Sequence, residues 1–350
     1  MAQNEDVLVN VSNGVGHVTL NRPKAINSLT DVMVAGLAKA LDDWEHDDAV
    51  HTVLLTGAGE RGLCAGGDVV AIYHDAPVGG AKTRAFWHDE YVLNARIAHY
   101  PKPYVAVMDG IVMGGGVGVS AHASVRIVTE TTKMGMPEVG IGFIPDVGGT
   151  YLLARTPGQL GLHAALTGAP FSGADAIAMG FADHFVPHET LGSFTAAVMS
   201  DGLDGALAAH AVEPPASPLL AQRRWIDACF SGETVPDILA ALRGHDAGPA
   251  NDAANLIASR SPIALAVTLQ AIRRAAQLET LEDVLRQEFR TSCAALRSHD
   301  LVEGIRALLI DKDRNPKWSP ASLALCGDSD VETYFAPADP DLTFPEQGAS

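Results

Sequence analysis

Two short apolar runs open the chain, Val7 to Val11 and Val15 to Leu20, split by Ser12-Asn13-Gly14. An Asn-Gly pair supplies the positive φ angles of a two-residue turn, so the runs predict a β-hairpin. The period then changes. Met33, Leu37, Ala40, Leu41 and Trp44 recur at helical spacing behind Ser28 and Asp31, a pair with capping-box spacing, which predicts a helix over 30–46. His51 to Thr56 reads as a strand buried on both faces. A second helix is predicted over 80–100, carrying Phe86, Trp87, Tyr91, Leu93 and Ile97 and stopped by Pro101 and Pro103. Tyr104 to Met108 is the next buried strand, and Val125 to Thr129 and Lys133 to Met136 give two more before Pro137 turns the chain.

Beyond Thr150 the pattern is mainly helical. Helices are expected over 158–167 and 172–179, whereas 189–244 has no clear period, and Pro214, Pro215, Pro218 and Gly248-Pro249 suggest a joint or a surface excursion. Three later helices are marked by their starts: Ser261 before Pro262, Thr280 with Asp283, and Asp300 with Glu303. Alternating strands and helices point to an α/β architecture of stacked β–β–α units with loops collected on one side. The expected division is a core over 1–190 and a mainly helical region over 191–350 that completes and covers it.

Composition narrows the function classes. The 350 residues carry 24 Lys and Arg against 42 Asp and Glu, a formal charge of −18. That balance argues against nucleic acid or an anionic membrane as partner, since phosphate affinity comes from clustered cations. It leaves room for an anionic small molecule, because charges are screened beyond about 8 Å in physiological salt. Cys64, Cys229, Cys293 and Cys326 lack the spacing of a zinc site or a disulfide framework, which favours a reducing compartment. The opening MAQNEDVLVN shows no export or transit pattern, so a cytoplasmic location is expected. Tyr104 to Ala121 is apolar, but Asp109 and five glycines suit a buried strand and loop better than a membrane span.

The candidate chemistry sits in two glycine-rich stretches. Gly57, Gly59 and Gly62 match GxGxxG, but Gly62 leads into a further loop, Ala65-Gly66-Gly67-Asp68, where a dinucleotide fingerprint requires a helix. Gly114, Gly115 and Gly116 form the second stretch, and the VGVSA that follows is suited to open a helix. Backbone amides exposed in such loops can hold an oxygen on which negative charge develops. Glu138 and Asp146 lie nearby in apolar or neutral sequence, and each reads equally as an acid–base group or as a cap, Glu138 of the turn after Pro137 and Asp146 of a helix near Gly148. Glu90, on the predicted 80–100 helix, would by itself be a solvated residue. The histidines show no metal-ligand spacing, and no Ser-His-Asp order or GxSxG elbow is present.

NRPKAINSL at 21–29, LCAGGD at 63–68, GIVMGGGVG at 110–118 and MPEVGIGFIPDVGGTYLL at 136–153 resemble the successive signatures of the crotonase, or enoyl-CoA hydratase/isomerase, superfamily over at least residues 7–190. EYVLN at 90–94, PDVGG at 145–149 and SHDLVEGIRALLIDKDRNPKW at 298–318 are similar to the branch that hydrolyses short branched 3-hydroxyacyl-CoA thioesters in valine breakdown. The resemblance implies a crotonase-like spiral of β–β–α units with a C-terminal helical region, assembled as a homo-oligomer, trimer or hexamer. It implies oxyanion donors at the amides of Ala65 and Gly115, and catalytic acids at Glu138 and Asp146. Substrate contacts would come from Glu90, from Gly66, Gly67, Asp68 and Gly114 in the donor loops, and from Lys24, Ala25 and Ile26 along the adenine end of CoA. No metal or redox cofactor is implied, since CoA arrives with the acyl-CoA substrate. Hydratases of the superfamily carry a second glutamate just after the triple glycine; Gly118 stands there, which weakens the alternative of an enoyl-CoA hydratase or isomerase. A non-catalytic CoA-binding scaffold is the other alternative.

Overall fold

The computed structural model describes residues 5–345. They form two compact units, each drawn from discontinuous segments. Unit 1 takes the chain up to Asp68, Arg96–Gly135 and Pro170–Gln222; unit 2 takes Val69–Ala95, Met136–Ala169 and the chain from Arg223 onward. The expected boundary at 190 therefore falls inside unit 1, which continues to Gln222.

Unit 1 holds both sheets. β1 (Val7–Ser12) and β2 (Val15–Leu20) pair antiparallel in register Ser12↔Val15, with Asn13 at φ 50° and Gly14 at φ 79° making the turn that Asn-Gly predicts. β3 (Thr52–Gly57), β4 (Tyr104–Met108), β6 (Val125–Val128) and β9 (His184–Phe185) extend the sheet in parallel, in the order β1-β2-β3-β4-β6-β9. β5 (Ile111–Met113), β7 (Lys133–Gly135) and β8 (Phe171–Ser172) make a second, three-stranded sheet. Each pass thus leaves one strand in the large sheet and the next in the small one, β4 then β5, β6 then β7, which is the β–β–α spiral. The core is Val15, Leu54, Val105, Val107 and Ile127 on the sheet, packed against Phe194, Val198 and Ala206. Those last three belong to helices Leu191–Ser200 and Gly202–His210, within the stretch where the sequence showed no period.

Two predicted starts are realised differently. Helix Asp31–Glu45 buries Met33, Leu37, Leu41 and Trp44, but its cap is Thr30, whose hydroxyl accepts from the Met33 amide at 3.3 Å, and not Ser28. Helix His299–Ile305 starts at Ser298 with no side-chain cap. Asp300 is instead buried, accepting from the Ser261 hydroxyl at 2.6 Å and the Ser319 amide at 2.7 Å.

Unit 2 is helical. Helix Pro262–Ala275, capped by Ser261, packs against Gly149–Leu153, Leu160–Thr167 and Leu281–Ala295. Helix Ala81–Ala98 joins it through Trp87, stacked on Phe143 with ring centres 5.2 Å apart. Among the described residues no helix is long and apolar enough to cross a membrane.

Candidate active site

In unit 1 the two glycine-rich loops lie together because the chain before one pairs with the strand before the other. Cys64 bridges Val112: the Cys64 amide donates to Ile111 O at 3.1 Å and the Met113 amide to Cys64 O at 3.0 Å. Gly62 is the close-approach point of this pairing. A Cβ on it would stand 2.1 Å from the Ile111 nitrogen, so the third GxGxxG glycine serves backbone pairing and opens no phosphate-binding helix. After β5 the chain enters the short helical turn Gly115–Gly118, with Gly114 at its N-cap. A Cβ on Gly116 would lie 2.5 Å from the Cys64 carbonyl oxygen, and one on Gly66 3.8 Å from the Gly115 nitrogen, which measures how closely the loops approach.

The free donors are not quite those expected. Gly115 opens the helical turn, and its amide has no acceptor among the described residues. The Ala65 amide, expected as the second donor, is engaged: it donates to Ile26 O at 2.9 Å and so ties the loop to the Pro23–Ala25 turn. Two residues on, Gly67 bridges Leu29 through its neighbours, Leu29 N to Gly66 O at 2.8 Å and Asp68 N to Leu29 O at 2.9 Å. Its own amide points away from that bridge and has no acceptor among the described residues. In this loop the amide left without an acceptor is thus that of Gly67, while that of Ala65 is engaged by Ile26 O. Around them, the Asp68 carboxylate meets the Arg22 guanidinium at 3.3 Å, and Arg61 donates to the carbonyls of Pro23 and Lys24 at 2.6 Å each. Lys24 and Ala25 are exposed, and Ile26 is half-buried.

Unit 2 gathers carboxylates. Glu138 opens a 3₁₀ turn, Glu138–Ile141, and Asp146 lies in the loop before helix Gly149–Leu153; both are buried, as is Glu90 on the Ala81–Ala98 helix. The Tyr91 hydroxyl donates to Asp146 Oδ2 at 2.6 Å and lies 2.8 Å from Ser292 Oγ. Asp146 is therefore no helix cap. That task falls to Glu288, fully buried on helix Leu281–Ala295, whose carboxylate accepts from the amides of Gly148 at 2.6 Å and Thr150 at 2.8 Å and from the Thr150 hydroxyl at 2.5 Å. Glu138 Oε2 and Glu90 Oε1 have no hydrogen-bond partner among the described residues.

Burial is the main electrostatic cause throughout. It holds Glu138 and Glu90 well above the ordinary glutamate range, with the charge of Asp146 pushing both further up. Burial lifts Asp146 to about 7, against the downward pull of the Tyr91 hydroxyl. It lifts Glu288 to about 8, against the hydrogen bonds from Thr150 and Gly148. Asp146, at about 7, exchanges its proton near neutrality, which suits acid–base work.

Tyr91, Glu288 and Ser292 were not singled out in the sequence. Tyr91 read as one apolar position of its helix. Glu288 had a signal: Leu281, Leu285, Glu288 and Ser292 follow one another at helical spacing, so a charged residue occupies an otherwise buried stripe.

The enoyl-CoA hydratase/isomerase family model matches residues 15–335. The mitochondrial 3-hydroxyisobutyryl-CoA hydrolase of Danio rerio is 39% identical over 95% of this chain and 90% of its own length. The 3-hydroxyisobutyryl-CoA hydrolase 1 of Arabidopsis thaliana is 40% identical over 96% and 92%. Among solved structures, a carnitinyl-CoA dehydratase from Mycobacterium thermoresistibile is 71% identical, covering 97% of this chain and 99% of that one with a TM-score of 0.96. An enoyl-CoA hydratase from Rhodobacter sphaeroides 2.4.1 is 40% identical over 97% and 100%, with a TM-score of 0.90. With the spiral, the paired glycine loops and a family match over most of its length, the chain belongs to the enoyl-CoA hydratase/isomerase family.

Proposed function

We propose that the chain hydrolyses the thioester of a short branched 3-hydroxyacyl-CoA, 3-hydroxyisobutyryl-CoA first among them, giving 3-hydroxyisobutyrate and CoA as a step of valine breakdown. The observation that carries this reading is the set of acids: Glu138 and Asp146 are buried with raised proton affinity, while Gly118, the position at which hydratases carry their second glutamate, has no side chain. The names of the curated relatives support it.

In this reading the amides of Gly67 and Gly115 hold the thioester oxygen as charge builds on it, each at a worth of roughly 3–4 kcal/mol. Glu138, raised in proton affinity, acts once it has given up its proton: the carboxylate attacks the carbonyl carbon, forming an anhydride that water then cleaves, or it takes a proton from the attacking water. The C–S bond breaks with its electron pair leaving on sulfur, and Asp146, which near pH 7 carries a proton part of the time, delivers one to that thiolate. The loops around Gly66, Asp68 and Gly114 and the Lys24–Ile26 segment serve the CoA moiety, and CoA itself is the only organic group the chemistry needs. A homo-oligomer working in the cytoplasm completes the reading, although the animal relatives are named as mitochondrial proteins.

The 71% identical structure is that of a carnitinyl-CoA dehydratase, which favours a second reading, water elimination from or addition to an acyl-CoA. Such chemistry needs two acids on one water molecule, and Gly118 removes the position of one of them. A CoA-binding scaffold without turnover is a third reading. One experiment separates the three: the protein is given 3-hydroxyisobutyryl-CoA and crotonyl-CoA while free thiol and enoyl absorbance are followed. Thiol release from the first supports hydrolysis; a change in enoyl absorbance without thiol release supports the dehydratase reading; binding with neither supports the scaffold.

A further inference from the structure

Helix Ala81–Ala98 presents a buried stripe at Trp87, Glu90, Tyr91 and Asn94. Trp87 stacks on Phe143 and Tyr91 reaches Asp146, so the stripe faces the segment that carries the candidate acids. Asn94 continues it by one turn beyond Glu90, and residues four apart on a helix share a side. Asn94 is 0% exposed and Glu90 2%. Among the described residues neither the Nδ2 nor the Oδ1 of Asn94 has a hydrogen-bond partner, and Glu90 Oε1 has none either.

Buried polar groups are as a rule hydrogen-bonded, because leaving them dry and unpaired opposes folding. A neighbouring carboxamide and carboxyl with free valences therefore mark the place of a bound polar group. Their chemistry says which. The carboxamide offers an N–H donor and a carbonyl acceptor, and the carboxyl a further oxygen. A carboxylate ligand brings acceptors only and would leave the Asn94 Oδ1 without a donor, and an ammonium group would leave the Asn94 N–H without an acceptor. A hydroxyl both donates and accepts through one atom and satisfies the two side chains together.

We propose that Asn94, acting with Glu90, binds the hydroxyl of the acyl group and is a specificity-determining residue of this enzyme, an inference that rests on the hydrolase reading above. A site built to pair a substrate hydroxyl rejects the analogue that lacks it, since its own polar groups are then left unpaired.

The test compares thiol release from 3-hydroxyisobutyryl-CoA and isobutyryl-CoA by the unaltered protein, Asn94→Leu and Asn94→Ser, with thermal melts establishing which variants are folded. The unaltered protein is expected to favour the hydroxylated thioester by at least ~100-fold in kcat/KM. Asn94→Leu cuts that ratio at least tenfold, and Asn94→Ser, which keeps a donor and an acceptor on a shorter side chain, cuts it less. Should the leucine variant not fold, the serine variant is read by the same ratio. A ratio unchanged in every folded variant overturns the inference, assigns the two side chains to bound water, and leaves hydrolysis standing. If the unaltered protein releases thiol from neither thioester, the hydrolase reading fails, and calorimetric titration decides the inference: equal affinity for the two thioesters overturns it, and a preference for the hydroxylated one that Asn94→Leu removes supports it.

Discussion

The Tyr91 hydroxyl donates to Asp146 Oδ2 at 2.6 Å while lying 2.8 Å from Ser292 Oγ, so a phenol fixes the orientation of an acid that burial lifts to about 7. Among the causes acting on Asp146, this bond is the larger of the two that oppose burial.

Tyr91→Phe removes that donor and keeps the ring. The Asp146 carboxyl, already at about 7, then binds its proton more tightly. A hydrogen bond to a charged group is worth about 1.5–3 kcal/mol, or one to two pH units. The limb of the pH–rate profile governed by Asp146 is expected to move upward by about one unit, while Ser292→Ala, which leaves the Tyr91–Asp146 bond in place, moves it less. Thiol-release rates from pH 5 to 9 check this; profiles that superimpose contradict it.

Glu288 gives a prediction about stability. Its carboxyl rises from 4.5 to about 8 on folding, chiefly through burial. A carboxyl raised in this way favours the folded state in its protonated form. The contribution is full below the unfolded value and is lost as pH rises through the folded one. Stability is therefore expected to fall between about pH 5 and pH 8 by up to a few kcal/mol. Glu288→Gln should be less stable at pH 5, since it loses an acceptor for the Gly148 or Thr150 amide, yet should show a flatter slope over the same range. Urea unfolding at four pH values measures both.

Gly116→Ala tests the loop-on-loop approach. A methyl group there would sit 2.5 Å from the Cys64 carbonyl oxygen, a backbone atom with little room to move. Overpacking of this kind costs about 1–3 kcal/mol. It also separates the loops carrying the Gly67 and Gly115 amides, so kcat/KM should fall further than the loss of stability accounts for. A variant with lowered stability and unaltered turnover would show that the loops need not meet this closely.

Much of this fold and site was legible in the chain. The hairpin turn, the buried strands β3 and β4, and the starts at Ser261 and Thr280 follow from local chemistry that the structure keeps. Starts went astray where several polar residues competed. Ser28 and Thr30 stand two positions apart and it is the Thr30 hydroxyl that accepts from the Met33 amide, while Asp300 is claimed by the distant Ser261. In 189–244 the prolines concealed helix Val235–Arg243, although Thr234 and Asp237 form its capping box with Pro236 in the first turn. At the site, glycines and acids are readable because their chemistry is intrinsic to residue type. Which amide remains free is not, because the engagement of Ala65 with Ile26 is a tertiary fact. Glu288 acts on Gly148 across 140 positions of sequence, a separation that no local pattern reports.

The central claim is that Glu138 directs thioester cleavage, and kcat/KM for thiol release from 3-hydroxyisobutyryl-CoA by Glu138→Gln against the unaltered protein tests it most directly. The amide keeps the size of the side chain and cannot attack the carbonyl or take a proton, so a loss of about 10²–10⁴-fold in a folded variant is predicted. Thiol release by Glu138→Gln at the unaltered rate would contradict the account.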